Sequence, residues 1–187
     1  MIKVPLAAPS ANISSKLSPT SASDVVDEFG KKIECILDGG RCRVGLESTI
    51  IDLTGKPTIL RQGSVTAEEI FKILKKKIFT KNKSNEIKSP GQLRSHYSPG
   101  IPVFMNKLFP KKDEAFITFG KKAKNVNNTF NLSVNSNLDE AANNLYKTMR
   151  KIKKKGFKSI AICKIPDRGI GKAINERLRK ASFKWKK

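Results

Sequence analysis

The 187-residue sequence is poor in the residues that most often carry covalent or metal chemistry. Its three cysteines, Cys35, Cys42 and Cys163, form no Cys-x-x-Cys pair and leave an odd one over. That argues against a disulfide framework or zinc site and makes a reducing cytoplasm the expected compartment. The one histidine, His96, has no Cys, Asp or Glu at ligand spacing, so a structural or turn role outweighs a metal role. No serine lies in G-x-S-x-G, and G-x-x-x-x-G-K-[ST] is absent, which excludes a nucleophile elbow and a P-loop. No apolar run approaches the roughly 20 residues that span a bilayer, so a helical transmembrane protein and a membrane partner are excluded. The first residues, through Pro9, are too short in apolar length and too rich in proline for a secretory signal. Aromatics make up only 7%, and acids are scarce: 16 Asp+Glu face 38 Lys+Arg, a net charge of +22.

Such an excess attracts phosphates, yet its make-up weakens a nucleic-acid reading. Thirty of the cations are lysines and eight are arginines. Lysine is a solvated point charge, whereas bidentate recognition of bases and phosphates falls to arginine. The lysines gather at Lys75-Lys76-Lys77 and at Lys151 with Lys153-Lys154-Lys155, where helices would face water. No aromatic residues interleave with them as a stacking platform would require. The charge therefore reads mainly as solvated faces, with a weak electrostatic affinity for RNA.

Three regions differ in texture, and together they predict an α/β chain. In residues 1–78 short β-like runs alternate with Gly, Pro and Ser turns. Pro5 to Pro19 reads as a strand end entering a long loop. Ser21 or Ser23 is placed to cap a helix through Val25, Val26 and Phe29, stopped by Gly30. Cys35-Ile36-Leu37 predicts a short strand before the Asp38-Gly39-Gly40 turn. Ser48 to Leu53 predicts a strand, with Thr58 to Arg61 as its antiparallel partner. Thr66 and Glu69 have capping-box spacing ahead of a helical face formed by Ile70, Phe71, Leu74 and Ile78. Residues 79–101 show no period and read as a linker. Residues 102–187 predict a small unit with strands near Val103, Ala115–Phe119 and Ser159–Cys163. Between the last two strands, Leu138, Ala142, Leu145, Met149 and Ile152 fall on one helical face, and a final helix carries Ile170, Ile174, Leu178 and Ala181. Alternating strands and helices predict a parallel, Rossmann-like sheet. Gly169-Ile170-Gly171 lacks the third small residue of a dinucleotide loop, so helix capping is its better reading.

The remaining signal is a run of small hydroxyl and amide residues beside prolines: Ala8-Pro9-Ser10-Ala11-Asn12, then Ser18-Pro19-Thr20. Short side chains let backbone N–H groups approach a ligand, and Ser or Asn tips meet phosphate or carboxylate oxygens. Ser48-Thr49 stands at the head of one strand, and Arg61 at the end of its neighbour has the fork geometry of a phosphate ligand. Each residue alone reads as a loop or cap residue. Together they support a possible anion or nucleotide pocket.

In this order the segments Pro5-Leu6-Ala7-Ala8-Pro9-Ser10-Ala11-Asn12-Ile13-Ser14, Leu17-Ser18-Pro19-Thr20, Val44-Gly45-Leu46-Glu47-Ser48-Thr49-Ile50 and Ile59-Leu60-Arg61-Gln62-Gly63 resemble the L-threonylcarbamoyladenylate synthases. His96-Tyr97-Ser98-Pro99 resembles that family's interdomain linker, and Gly169 to Leu178 its last helix. The resemblance implies a partial YrdC-like twisted-sheet domain at 1–78, a lid-forming linker at 79–101 and a Rossmann-like domain at 102–187. It also implies formation of threonylcarbamoyl-AMP and pyrophosphate from L-threonine, bicarbonate and ATP, with Mg²⁺ on the triphosphate. A partner complex would then transfer the threonylcarbamoyl group to adenosine 37 of tRNA. Residue by residue, Ser10, Asn12, Ser18 and Arg61 would contact ATP, and Tyr97 would close over the nucleotide. Ala8, Ser48 and Thr49 would hold threonine. Much of the family's catalytic domain precedes the segment that begins here at Pro5, including a basic cluster on the triphosphate. The expectation is therefore an N-terminally truncated member, weak or inactive on its own; Gln62 also stands where the family pattern has proline. The rivals are a non-enzymatic basic RNA-binding module and a regulatory fragment that binds nucleotide without catalysis.

Overall fold

The computed structural model of the chain describes residues 3–5, 8–80, 89, 91, 93–121 and 128–183. Helix α1 spans Ala22–Phe29, and the Ser21 hydroxyl accepts the Asp24 N–H at 3.3 Å. Gly30, at φ +52°, ends the helix as its position in the sequence predicts. Cys35-Ile36-Leu37, expected as a strand, is irregular, and Leu37 is 91% exposed. An apolar triplet with no neighbouring strand has no ladder to join.

The predicted antiparallel pair forms as β1, Ile50–Asp52, and β2, Thr58–Arg61, with a register shift between Ile50 and Ile51. A third strand corrects the aperiodic reading of residues 79–101, since β3, Phe79–Thr80, pairs parallel to β2. Helix α2, Ala67–Leu74, begins in a complete Thr66–Glu69 capping box. Its expected apolar face stops short: Lys75 turns left-handed at φ +52°, so Ile78 lies outside the helix. None of its residues is buried, and Phe71 and Ile73 are exposed. Pro5, read as the end of a strand, lies in none.

The second sheet holds β4, Val103–Phe104, β5, Ala115–Thr118, β6, Thr129–Asn131, and β7, Ile160–Ile162. All its pairings are parallel, in the order β4-β7-β5-β6. Strand β6 escapes the sequence because Thr129-Phe130-Asn131 is short and polar at both ends. Helix α3, Leu138–Lys154, crosses back from β6 to β7 and buries Ala142, Leu145, Met149 and Ile152, as its spacing predicts. Each large apolar side chain buried this way contributes about 1.5–3 kcal/mol. Helix α4, Gly171–Ala181, buries Ile174, Leu178 and Ala181. A Cβ on Gly171 would collide with the Pro166 carbonyl, so close packing accounts for that glycine.

The N-terminal segments lie directly on α3. Asn143 Nδ2 donates to the Cys42 and Arg43 carbonyls at 2.9 and 2.6 Å. Arg150 Nη2 donates to the Leu17 carbonyl at 2.6 Å, and its Nη1 to Glu28 at 3.2 Å. Gly45, at φ +75°, rests so near α3 that a Cβ would come within 2.7 Å of Asn143 Cα.

Candidate threonine and nucleotide site

The loop leading into β1 brings Glu47 between the two halves. Its carboxylate accepts from Ser18 Oγ at 2.6 Å, from the Tyr146 hydroxyl at 3.1 and 3.2 Å, and from Arg177 Nε at 2.8 Å. Burial alone would raise its pKa, but the Arg177 charge and the Ser18 hydrogen bond outweigh it, and the carboxyl titrates below its usual value. Burial likewise works against the Arg177 charge, and Tyr146, Tyr97 and Glu47 more than offset it, so the guanidinium stays protonated. Its Nη2 donates to the Gln62 carbonyl at 2.7 Å, and Gln62 N–H donates to Glu176 at 3.0 Å. The residue found where the family pattern has proline thus supplies a main-chain donor that proline lacks.

Immediately after Glu47, Ser48 and Thr49 stand at the head of β1. Arg61, at the end of β2, reaches back across the pair. Its Nε donates to the Ser48 carbonyl at 2.9 Å and its Nη2 to Ser48 Oγ at 3.1 Å. Among the described residues the Ser48 hydroxyl proton and Arg61 Nη1 have no hydrogen-bond partner, which leaves them for a ligand. Thr49 Oγ1 donates to the Val65 carbonyl at 2.6 Å and keeps its lone pairs. Gly63 packs so closely on this turn that a Cβ would run into Thr49 N.

Tyr97 is 1% exposed and lies with Arg177 4.9 Å above its ring and Tyr146 stacked at 6.1 Å. Its φ is +58°, a left-handed conformation that is costly for an aromatic residue and is sustained by this packing. Burial first, and then the Glu47 charge, raise its pKa against the opposing Arg177. Among the described residues its buried hydroxyl has no hydrogen-bond partner. Gly91 fills the gap between that hydroxyl and Arg61 Cδ, which a Cβ on Gly91 would approach within 3.4 Å. His96 accepts the Tyr97 N–H at Nδ1 (2.9 Å), the turn role its surroundings predict. Burial depresses its pKa.

The structure therefore brings Ser18, Ser48, Thr49, Arg61 and Tyr97 together. Ala8, Ser10 and Asn12 lie on the loop ahead of them, and among the described residues no side-chain hydrogen bond ties Ser10 to the group. Asn12 Nδ2 donates to the Ile13 and Lys16 carbonyls, and its Oδ1 is buried without a partner. Ser18 departs from expectation in one respect: its proton is committed to Glu47, so it meets a ligand only as an acceptor. Sequence reasoning missed Glu47, Tyr146 and Arg177 as a set. One signal was available, because Arg177 falls within the apolar stripe Ile170, Ile174, Leu178 and Ala181, where an unpaired charge is untenable.

Two family models match the chain: one described as threonylcarbamoyl-AMP synthase, C-terminal domain, over residues 65–182, and one described as telomere recombination over residues 1–63. The chain belongs to the threonylcarbamoyl-AMP synthase family. It is 38% identical to the threonylcarbamoyl-AMP synthase of Pyrococcus abyssi over 95% of its own length and 58% of the relative's. It is 31% identical to the Bacillus subtilis protein of that name, over 96% and 57%. The crystal structure of P. abyssi Sua5 complexed with L-threonine superposes with a TM-score of 0.80 at 36% identity, covering 93% of this chain and 56% of that one. A P. abyssi Sua5 variant with an adjacent histidine and tyrosine replaced by alanine gives 0.76 at 35% identity. The chain spans just over half the length of these synthase relatives, and the likeness bears out the α/β, YrdC-like plus C-terminal Rossmann-like arrangement.

Proposed function

We propose that this chain carries the threonine- and nucleotide-contacting part of a threonylcarbamoyl-AMP synthase. The observation that carries the reading is the Arg61 clamp on Ser48, beside Thr49, over the buried Glu47–Arg177 pair. The threonine complex of the P. abyssi relative supports the choice of amino acid.

In the proposed reaction the carbamate made from L-threonine and bicarbonate attacks the α-phosphate of ATP through oxygen. The bond from the α-phosphorus to its bridging oxygen breaks and pyrophosphate leaves. Such a step needs positioning and charge neutralisation, not a protein nucleophile. Thr49 Oγ1 accepts from the threonine ammonium or hydroxyl, Ser48 donates to its carboxylate, and the Ala8 backbone lies against it. Arg61 Nη1 meets the phosphates, while Tyr97, expected to close over the nucleotide, is buried in the core and so supports Arg61 through Gly91 in place of a lid contact. Ser10 and Asn12 contact ATP from the loop, and Ser18 accepts from the adenosine portion. Mg²⁺ carried by the triphosphate would supply further charge neutralisation there. Glu47 accepts from Ser18, Tyr146 and Arg177, so its oxygens are engaged and phosphate oxygens and water would hold the metal. The product passes to a tRNA threonylcarbamoyl-transfer complex in the cytoplasm, and the net charge gives the chain a weak affinity for tRNA.

The test is pyrophosphate release that requires both threonine and bicarbonate, measured on this chain and on a version extended upstream. The extended form is expected to turn over and the present chain to do so weakly, because Ile59 is the one apolar side chain buried among the described residues of the first sheet. Arg61→Ala should lower turnover by about two orders of magnitude, as losing one charge-stabilising donor does elsewhere. An inactive extended form would overturn the assignment.

A further inference from the structure

A cavity of about 1170 Å³ lies far along the chain from Ser48 and Arg61, in the C-terminal half. It borders edge strand β4 and the last turns of α4. The connection from β4 to β5, residues 105–114, contains no helix, although a crossover between parallel strands ordinarily carries one. The space beside β4 is accordingly left open. Phe104, Met105 and Ile165 give it an apolar wall.

Four cations line the same space: Lys107, Lys111, Lys164 and Arg179. None has a carboxylate within ion-pair distance among the described residues. Two carboxylates also line it, and both are engaged elsewhere. Glu114 accepts the Lys111 N–H at 2.7 Å and Ser159 Oγ at 3.0 Å, and Asp167 accepts Asn175 Nδ2 at 3.0 Å. A cavity of this size, apolar on one wall and with four cations to two carboxylates around the rest, matches an anion with a flat apolar body. Lys107 already lies 6.0 Å over the Phe104 ring, so charge and aromatic surface meet at one point. The carboxyl ends of β4 and β7, which lead into Met105 and Lys164, are also where open parallel sheets receive ligands.

We propose that this cavity binds a free mononucleotide, its base against Phe104, Met105 and Ile165 and its phosphate among Lys107, Lys111, Lys164 and Arg179. The site is separate from the proposed synthase site and does not depend on it.

The test is an amide chemical-shift titration of the full chain with AMP. Saturable shifts at Lys107, Lys164, Ile165 and Arg179 are expected, weakened about tenfold or more in Kd by Lys164→Glu with Arg179→Glu and left intact by Arg61→Ala. Both reversed residues are exposed, and an unchanged thermal melt confirms that the double variant is folded. The proposal is overturned if AMP leaves those amides unmoved, or if inorganic phosphate moves them equally well. It is likewise overturned if a single-stranded RNA oligomer moves them where AMP does not.

Discussion

Glu47 carries a heavy electrostatic duty, because Arg177 behind it is 1% exposed at its side chain. Removing the carboxylate leaves that guanidinium with only the longer Glu176 carboxylate contact at 3.6 Å, and breaking a buried pair from one side costs roughly 3–5 kcal/mol. Glu47→Ala should therefore lower urea-unfolding stability by about that amount, while Glu47→Gln with Arg177→Met loses much less; the double-mutant cycle checks it. The pH dependence follows from the depressed Glu47 pKa. Its stabilisation is complete above the ordinary carboxyl value of 4.5 and is lost as pH falls through the lower folded value. Thermal melts between neutral and acidic pH should show this loss, and Glu47→Gln should flatten it.

At the scale of elements, local rules and tertiary contacts divided the work. Capping and periodicity made α1, α2, α3, α4, the β1–β2 pair and the parallel second sheet legible, since Ser21, Thr66 and the Leu138-to-Ile152 stripe act within a few residues of themselves. Strands β3 and β6 were not legible, because Phe79-Thr80 runs into a polar stretch and Thr129-Phe130-Asn131 has a single apolar residue, so neither offers an apolar run. Cys35-Ile36-Leu37 failed in the opposite sense, having strand composition without a strand to pair with. In the site, Ser48, Thr49 and Arg61 could be read from the order of their motifs, whereas Glu47's partners on α3 and α4 come from about 100 and 130 residues away. Two substitutions separate local from tertiary effects. Thr66→Ala removes a capping box on an exposed helix and should cost about 1 kcal/mol by chemical denaturation, with threonine binding unchanged. Gly63→Ala drives a methyl group into Thr49 N, so threonine affinity should fall even where the melt shows the chain still folded.

Taken as a whole, the molecule is lopsided. The apolar core lies almost entirely in the α3, α4 and second-sheet half, with Leu17 and Tyr97 contributed from earlier in the chain. The residues proposed to touch threonine and ATP sit on the thinly buried first sheet and its loops, braced from behind by Arg150, Asn143 and Arg177. Calorimetric titration of L-threonine and ATP into the chain, with Arg61→Ala alongside, bears most directly on the proposed site. Saturable binding that needs Arg61 is the predicted result. Salt-dependent RNA binding that survives Arg61→Ala, with neither threonine nor ATP bound, would contradict it.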